Sequence, residues 1–227
     1  MMDPTAAMKS QLEQLLGLRG QDAVKPVRLD ELKRFQAERL ARSYEDIAAQ
    51  TRYSAATGFF LGDLYGPKDF SRRDADMARM VPAMRRVLPA YALETAAHAI
   101  ELESLSESLD HRVAAALPAG PIDEERYAEA YRAGSTRAER MRQIELVVAV
   151  GERLDTLVAK PLIFRTLKLM RQPARLAGLE QLQNFLERGF RAFHEMGGAD
   201  DFLALIRDRE TLILNQLFSG APRPFSI

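Results

Sequence analysis

"DEERYAEAYRAGSTRAERMRQIELVVAVGERLDTLVAKP", residues 123–161, decides what kind of fold this chain can adopt. Its apolar residues Tyr127, Tyr131, Ala138, Met141, Ile144, Val148, Leu154 and Val158 recur at intervals that keep one side of a 3.6-residue helix apolar. A strand would need strict alternation and β-branched enrichment, and the stretch offers neither. The spacing therefore predicts one long helix from about Asp123 to the Lys160-Pro161 interruption. Gly134 and Gly151 are weak points in it, or points where a neighbour packs closely.

The same period extends on both sides. Leu29, Leu32, Phe35, Leu40, Tyr44 and Ile47 form a stripe over about 29–50, and Tyr53, Ala56, Phe60 and Leu64 form a shorter one that "YGP" stops at Gly66 and Pro67. Ser71 and Asp74 in "SRRD" read as the cap of a further helix, which Pro82 kinks or ends; Pro89 opens the next. That next pattern runs from Leu93 to Leu117, with Ser104 and Ser106 as a potential break, and "LPAGPID" (117–123) is the clearest loop. After Pro161 come a short apolar-basic helix, a helix opened by Pro173 and ended at Gly197-Gly198, and a final helix capped by Asp200 and ended near Gly220.

The predicted fold is all-α, a compact bundle of about eight or nine helices, several of them short or Pro-kinked, with no β-sheet. A single helical domain over 1–227 is expected, with 1–27 a peripheral N-terminal helix and linker and 219–227 a flexible tail. Any subdivision falls near 117–122. No internal repeat is visible, which argues against a solenoid.

Composition narrows the function classes. Of 227 residues 47% are hydrophobic, enough for a true core, and Lys plus Arg equals Asp plus Glu at 32 each, so no global field draws the chain to nucleic acid or anionic lipid. The absence of cysteine removes disulfides, thiolate nucleophiles and Cys-ligated metals, and a cytoplasmic location is expected. Charges scattered through the first twenty residues leave no signal-peptide core, and no eighteen apolar residues run together to form a transmembrane segment.

Three constellations could carry function. In "FFLGDLYGPKDFSRRD" (59–74), capping and turn chemistry account for Gly66, Pro67, Ser71 and Asp74, which leaves Tyr65, Lys68, Asp69, Arg72 and Arg73 as a candidate ligand or partner surface. Lys160, Arg165, Lys168, Arg171 and Arg175 lie in a stretch without acids between Asp155 and Glu180, forming a basic amphipathic surface. That surface could meet an acidic partner or the acidic helix face around 94–110, and peripheral membrane contact is the remaining alternative. Glu94, His98 and Glu101 share a helix face at i, i+4 and i+7; another helix would have to complete a metal shell, and a solvated face explains them equally, so no metal or cofactor is expected. With only Phe164 for stacking, nucleic-acid binding is not supported.

The segments "FFLGDLYGPKDFSRRDADMARMVP", "LPAYALETAAHAIELESLSESLD", "MRQPARLAGLEQLQNFLERGF" and "FHEMGGADDFLALIRDRE" resemble a family of helical proteobacterial proteins to which no activity is attached. The resemblance spans about 30–220 and implies one continuous domain in a bacterial cytosol. It carries over no catalytic residue. The functional expectation is thus a helical interaction or regulatory protein that binds a protein partner or a second copy of itself. The alternative is a small-molecule or metal-binding protein, an enzyme among the options, with a pocket between helices.

Overall fold

A computed structural model describes residues 4–19, 26–64, 76 and 90–226, and among these there is no strand. The helices are α1 Pro4–Arg19, α2 Leu29–Ser43, α3 Glu45–Ala48, α4 Thr51–Phe59, α5 Ala90–Ala116, α6 Glu124–Gly134, α7 Arg137–Val158, α8 Pro161–Leu169, α9 Arg171–Leu176, α10 Glu180–Met196 and α11 Asp200–Ser219. A π-helical turn, Phe60–Leu64, continues α4. The all-α prediction holds. The corner at 65–75, with Tyr65, Lys68, Asp69, Arg72 and Arg73, lies outside the described residues, as do Pro82 and Pro89.

Five element boundaries differ from those expected, the first being that the stripe over about 29–50 is carried by two helices, α2 and α3. The run at 123–161 is two helices, because Thr136 accepts the Glu139 amide while the Glu139 carboxylate accepts the Thr136 amide, a reciprocal cap that starts α7 afresh. Conversely, α5 runs unbroken through Ser104 and Ser106. A serine is tolerated inside a helix when its hydroxyl is engaged from outside, and Ser106 Oγ accepts from Gln143 of α7 at 2.8 Å. The helix expected from Pro173 to Gly197 is divided at Gly178, whose φ of +71° is left-handed backbone suited to a residue without Cβ. The last helix is preceded by Ala199 with no side-chain cap, so Asp200 sits in its first turn, beside the positive helix end, instead of capping it.

Helix α7 is the axis of the structure, packed against α5, α8, α10 and α11. Two apolar clusters flank it. The first joins Ile47, Tyr53 and Ala56 to Val147, Val148, Phe190, Phe193, Met196 and Phe202; the second joins Leu29 and Leu32 to Val113, Tyr127, Tyr131, Ile144, Ile213 and Leu214. A third places Met8, Leu12 and Leu15 of α1 on Ile100 of α5. Gly134 and Gly151 prove to be close-packing points. A Cβ on Gly134 would lie 2.6 Å from the Val113 backbone nitrogen, and one on Gly151 2.4 Å from a Leu203 methyl. Phe225 of the C-terminal tail packs on Phe35 and Tyr127, with ring centroids 6.4 and 5.7 Å apart.

The acidic face of α5 does not pair with the basic stretch that follows Lys160. Glu94 binds Arg153 at 2.9 Å, Glu101 binds Arg142 at 2.6 Å, and Glu103 binds Arg19 at 3.1 Å. Its partners come from α1 and α7, and from α2, whose Lys33 binds Glu107 at 2.8 Å.

Candidate functional site

Between the two flanking clusters lies a cavity of about 180 Å³, lined among the described residues by α1, α2, α4 with its π-turn, α5, α6, α7 and α11. A π-turn widens a helix locally and recurs at functional sites, and here its Phe60 and Leu61 form part of the wall. Leu40, Leu102, Ile144, Val147, Phe202 and Ile206 supply further apolar wall. The charged residues of the wall number four cations, Arg19, Lys33, Arg39 and Arg140, against four carboxylates, Glu103, Glu107, Asp110 and Glu210.

Direct contacts consume most of these charges. Glu107, 2% exposed at its side chain, receives Lys33 Nζ at 2.8 Å and also binds Arg19. Burial raises its carboxyl pKa, but the charges and hydrogen bonds of Arg19 and Lys33 outweigh this and leave it below the ordinary carboxylate range. His111 Nε2 stands 3.4 Å from the same carboxylate, and burial keeps that imidazole pKa lowered against the pull of Glu107. Arg39 donates to Glu210 at 2.8 Å, and the Tyr44 hydroxyl donates to Glu210 at 2.9 Å. Burial and the nearby Glu210 charge push the Tyr44 phenol up.

Two groups remain without an ionic contact, Arg140 and Asp110. Arg140 is 4% exposed and lies over the Tyr131 ring at 4.1 Å; its Nε donates to Ser135 Oγ at 3.1 Å and its Nη1 to Gln143 at 3.0 Å. Its Nη2 has no partner, and neither has the buried Nε of Arg39 or the hydroxyl of Thr57. Asp110 accepts from Gln36 Nε2 at 2.9 Å, and burial pushes its carboxyl pKa up despite that bond and the nearby Arg140 charge.

The Asp110 shift has a measurable consequence. A carboxyl whose folded pKa is raised above its ordinary 3.8 contributes stability that is complete below that value and lost as pH rises through the folded pKa. Asp110→Asn keeps the acceptor for Gln36 and removes a half-buried charge. The variant is expected to be more stable than the parent at pH 7, with the gain shrinking to nothing as pH is lowered through the carboxylate range in denaturant titrations.

The surface candidates sort differently. Arg171 pairs with Glu187, whose carboxyl it holds at about 2, with Gln183 adding a hydrogen bond at 2.9 Å. The Lys160 ammonium lies 3.9 Å from the Tyr91 ring centre and that of Lys168 4.1 Å from Phe164. Arg165 and Arg175 make no ion pair among the described residues. Of the suggested metal face, Glu94 and Glu101 are engaged by arginines and His98 Nδ1 is buried without a partner. The described residues contain no group of three His, Asp or Glu arranged for a metal.

Reading the sequence left Arg140, Arg39, Asp110 and Glu210 unnamed as site residues. One signal was available: Arg140 keeps register with Ile144 and Val147 on the buried side of α7, where an apolar residue is the norm.

A family model described as a domain of unknown function, DUF8198, matches residues 18–224. That span includes every described wall residue of the cavity. No curated protein and no solved structure matches the chain.

Proposed function

We propose, for a chain that belongs to the DUF8198 domain family, that it is a helical ligand-binding protein holding a small organic acid in the cavity between α2, α5, α7 and α11. The single observation that carries the reading is the buried Arg140 guanidinium, which lines the cavity, has no carboxylate contact and keeps an unpartnered N–H. The Asp110 carboxylate is near enough to feel the Arg140 charge but makes no hydrogen bond or ion pair to it, so a bound carboxylate would supply the direct contact and the missing acceptor.

Size and charge narrow the ligand class. A protein cavity of about 150 Å³ accepts benzene, so about 180 Å³ accommodates a ring or short branched chain with one carboxylate. One cation with a free N–H matches a monoanion; a dianion such as phosphate would be repelled by Glu107 and Asp110 in the same wall. Outside the cavity, on α8 and α9, Leu162, Leu169 and Leu176 face solvent. A ligand inside and a surface engaged outside are compatible in one regulatory protein.

The test is a thermal-shift series with benzoate, branched short-chain carboxylates, their uncharged amides and inorganic phosphate. A monocarboxylate at a hundred times its Kd is expected to stabilise the fold by about 2.7 kcal/mol, while the matching amide and phosphate do not. A flat response to every acid, with calorimetry showing no heat of binding, would overturn the proposal.

A further inference from the structure

The stretch Pro161–Leu176 presents two sides of opposite character. Ile163, Phe164 and Leu167 pack onto the first apolar cluster and anchor α8 to the fold. On the reverse side, Leu162, Arg165 and Leu169 fall at i, i+3 and i+7, and Leu162 and Leu169 are 74% and 77% exposed. Leu176 of α9 is 87% exposed and Met170, between the helices, 42%. Four large apolar side chains within fifteen residues thus stand in solvent, where surface apolar residues normally occur singly.

Charge says what this face fits. No acidic residue occurs between Asp155 and Glu180, and Lys160, Arg165, Lys168 and Arg175 have no carboxylate partner among the described residues. Arg171, the one cation of the stretch with such a partner, reaches Glu187 of α10. Elsewhere Arg142, Arg153, Arg188 and Arg209 are held in ion pairs, while Arg34, Arg42 and Arg223 make none among the described residues. What sets this stretch apart is that its unpaired cations stand beside the protruding apolar side chains with no acidic residue among them.

We infer that the exposed side of α8 and α9 docks on an anionic lipid bilayer, with Leu162, Leu169 and Leu176 entering the headgroup boundary and Arg165 and Arg175 meeting lipid phosphates. A helix lying in the membrane plane has this combination of protruding leucines and flanking Lys and Arg. The leucines project well clear of the surface instead of lining a groove, which suits a deformable lipid phase better than the ridge of a partner helix. Among the described residues no helix is long and apolar enough to cross a membrane, so the contact is peripheral.

Sedimentation of the full chain with phosphatidylcholine vesicles containing phosphatidylglycerol tests this, with pure phosphatidylcholine vesicles alongside. Binding is expected to the anionic vesicles alone and to weaken as salt rises. Leu162→Ser with Leu169→Ser, and separately Arg165→Glu with Arg175→Glu, are each expected to cut it tenfold or more while circular dichroism and Tm stay at parent values. The inference is overturned if the parent fails to bind anionic vesicles, or if neither pair of substitutions alters binding. It is equally overturned if the leucine pair dissociates a dimer, or if an acidic peptide competes the vesicles away at lower concentration.

Discussion

Arg39→Met is expected to lower the stability of the fold by about 3 kcal/mol, the low end of the range for removing one partner of a buried ion pair. Arg39 is buried, and its side chain joins α2 to α11 through two hydrogen bonds to Glu210, at 2.8 and 3.4 Å. Burial opposes the charged guanidinium, but the Glu210 charge outweighs it and holds the Arg39 pKa above its ordinary value. Methionine fills most of the vacated volume, so the loss reports the stranded carboxylate and not an empty space. The low end is the appropriate choice because the Glu210 side chain is 21% exposed and keeps the Tyr44 hydroxyl as a donor. For a chain of this length 1 kcal/mol moves Tm by about 2–4 °C, which places the expected fall at about 6–12 °C. Arg39→Met combined with Glu210→Met removes the stranded charge and is expected to regain most of the loss. If the double variant is no better than the single one, the pair acts through packing and the electrostatic account is wrong.

This pair also shows where sequence reading stops. The all-α architecture follows from local period, and the loop at 117–123, the Pro161 interruption and the stops at Gly197 and Gly220 follow from backbone chemistry that each residue carries with it. The break before α7 was equally local, since Thr136 and Glu139 stand at capping-box spacing, but the apolar stripe running across it masked the signal. Arg39 and Glu210 are 171 residues apart, and nothing in either neighbourhood names the other. What was open to reading is that Glu107 of α5 and Arg140 of α7 occupy positions on the buried side of their helices. A charged residue at such a position implies a polar partner brought by the fold, and the cavity is where those partners converge. The Tyr65 to Arg73 corner drew attention because its composition is unlike its surroundings. The cavity is built from residues ordinary in composition and unusual only in where the helices put them.

Arg140→Met separates a residue kept for binding from one kept for stability. In the absence of ligand the variant loses two hydrogen bonds, to Ser135 and Gln143, and the stacking on Tyr131. It gains relief from a buried charge that touches no carboxylate, and replacing buried charge by an apolar residue of similar volume is commonly neutral or stabilising. Its Tm is therefore expected at or above that of the parent. A charge-assisted hydrogen bond contributes about 1.5–3 kcal/mol, and each 1.4 kcal/mol is a tenfold change in Kd, so affinity for the monocarboxylate is expected to fall about a hundredfold. Arg140→Lys keeps the charge without the planar fork and is expected to bind between the two. Calorimetry of parent and both variants with the best carboxylate from the thermal-shift series measures the three affinities, and thermal unfolding without ligand measures the three stabilities. A variant that unfolds well below the parent yet binds the acid undiminished would show that Arg140 serves the core and that the ligand's charge is met elsewhere. A variant at least as stable as the parent and unable to bind would show the opposite, because selection for stability alone gives no reason to bury this guanidinium beside a cavity.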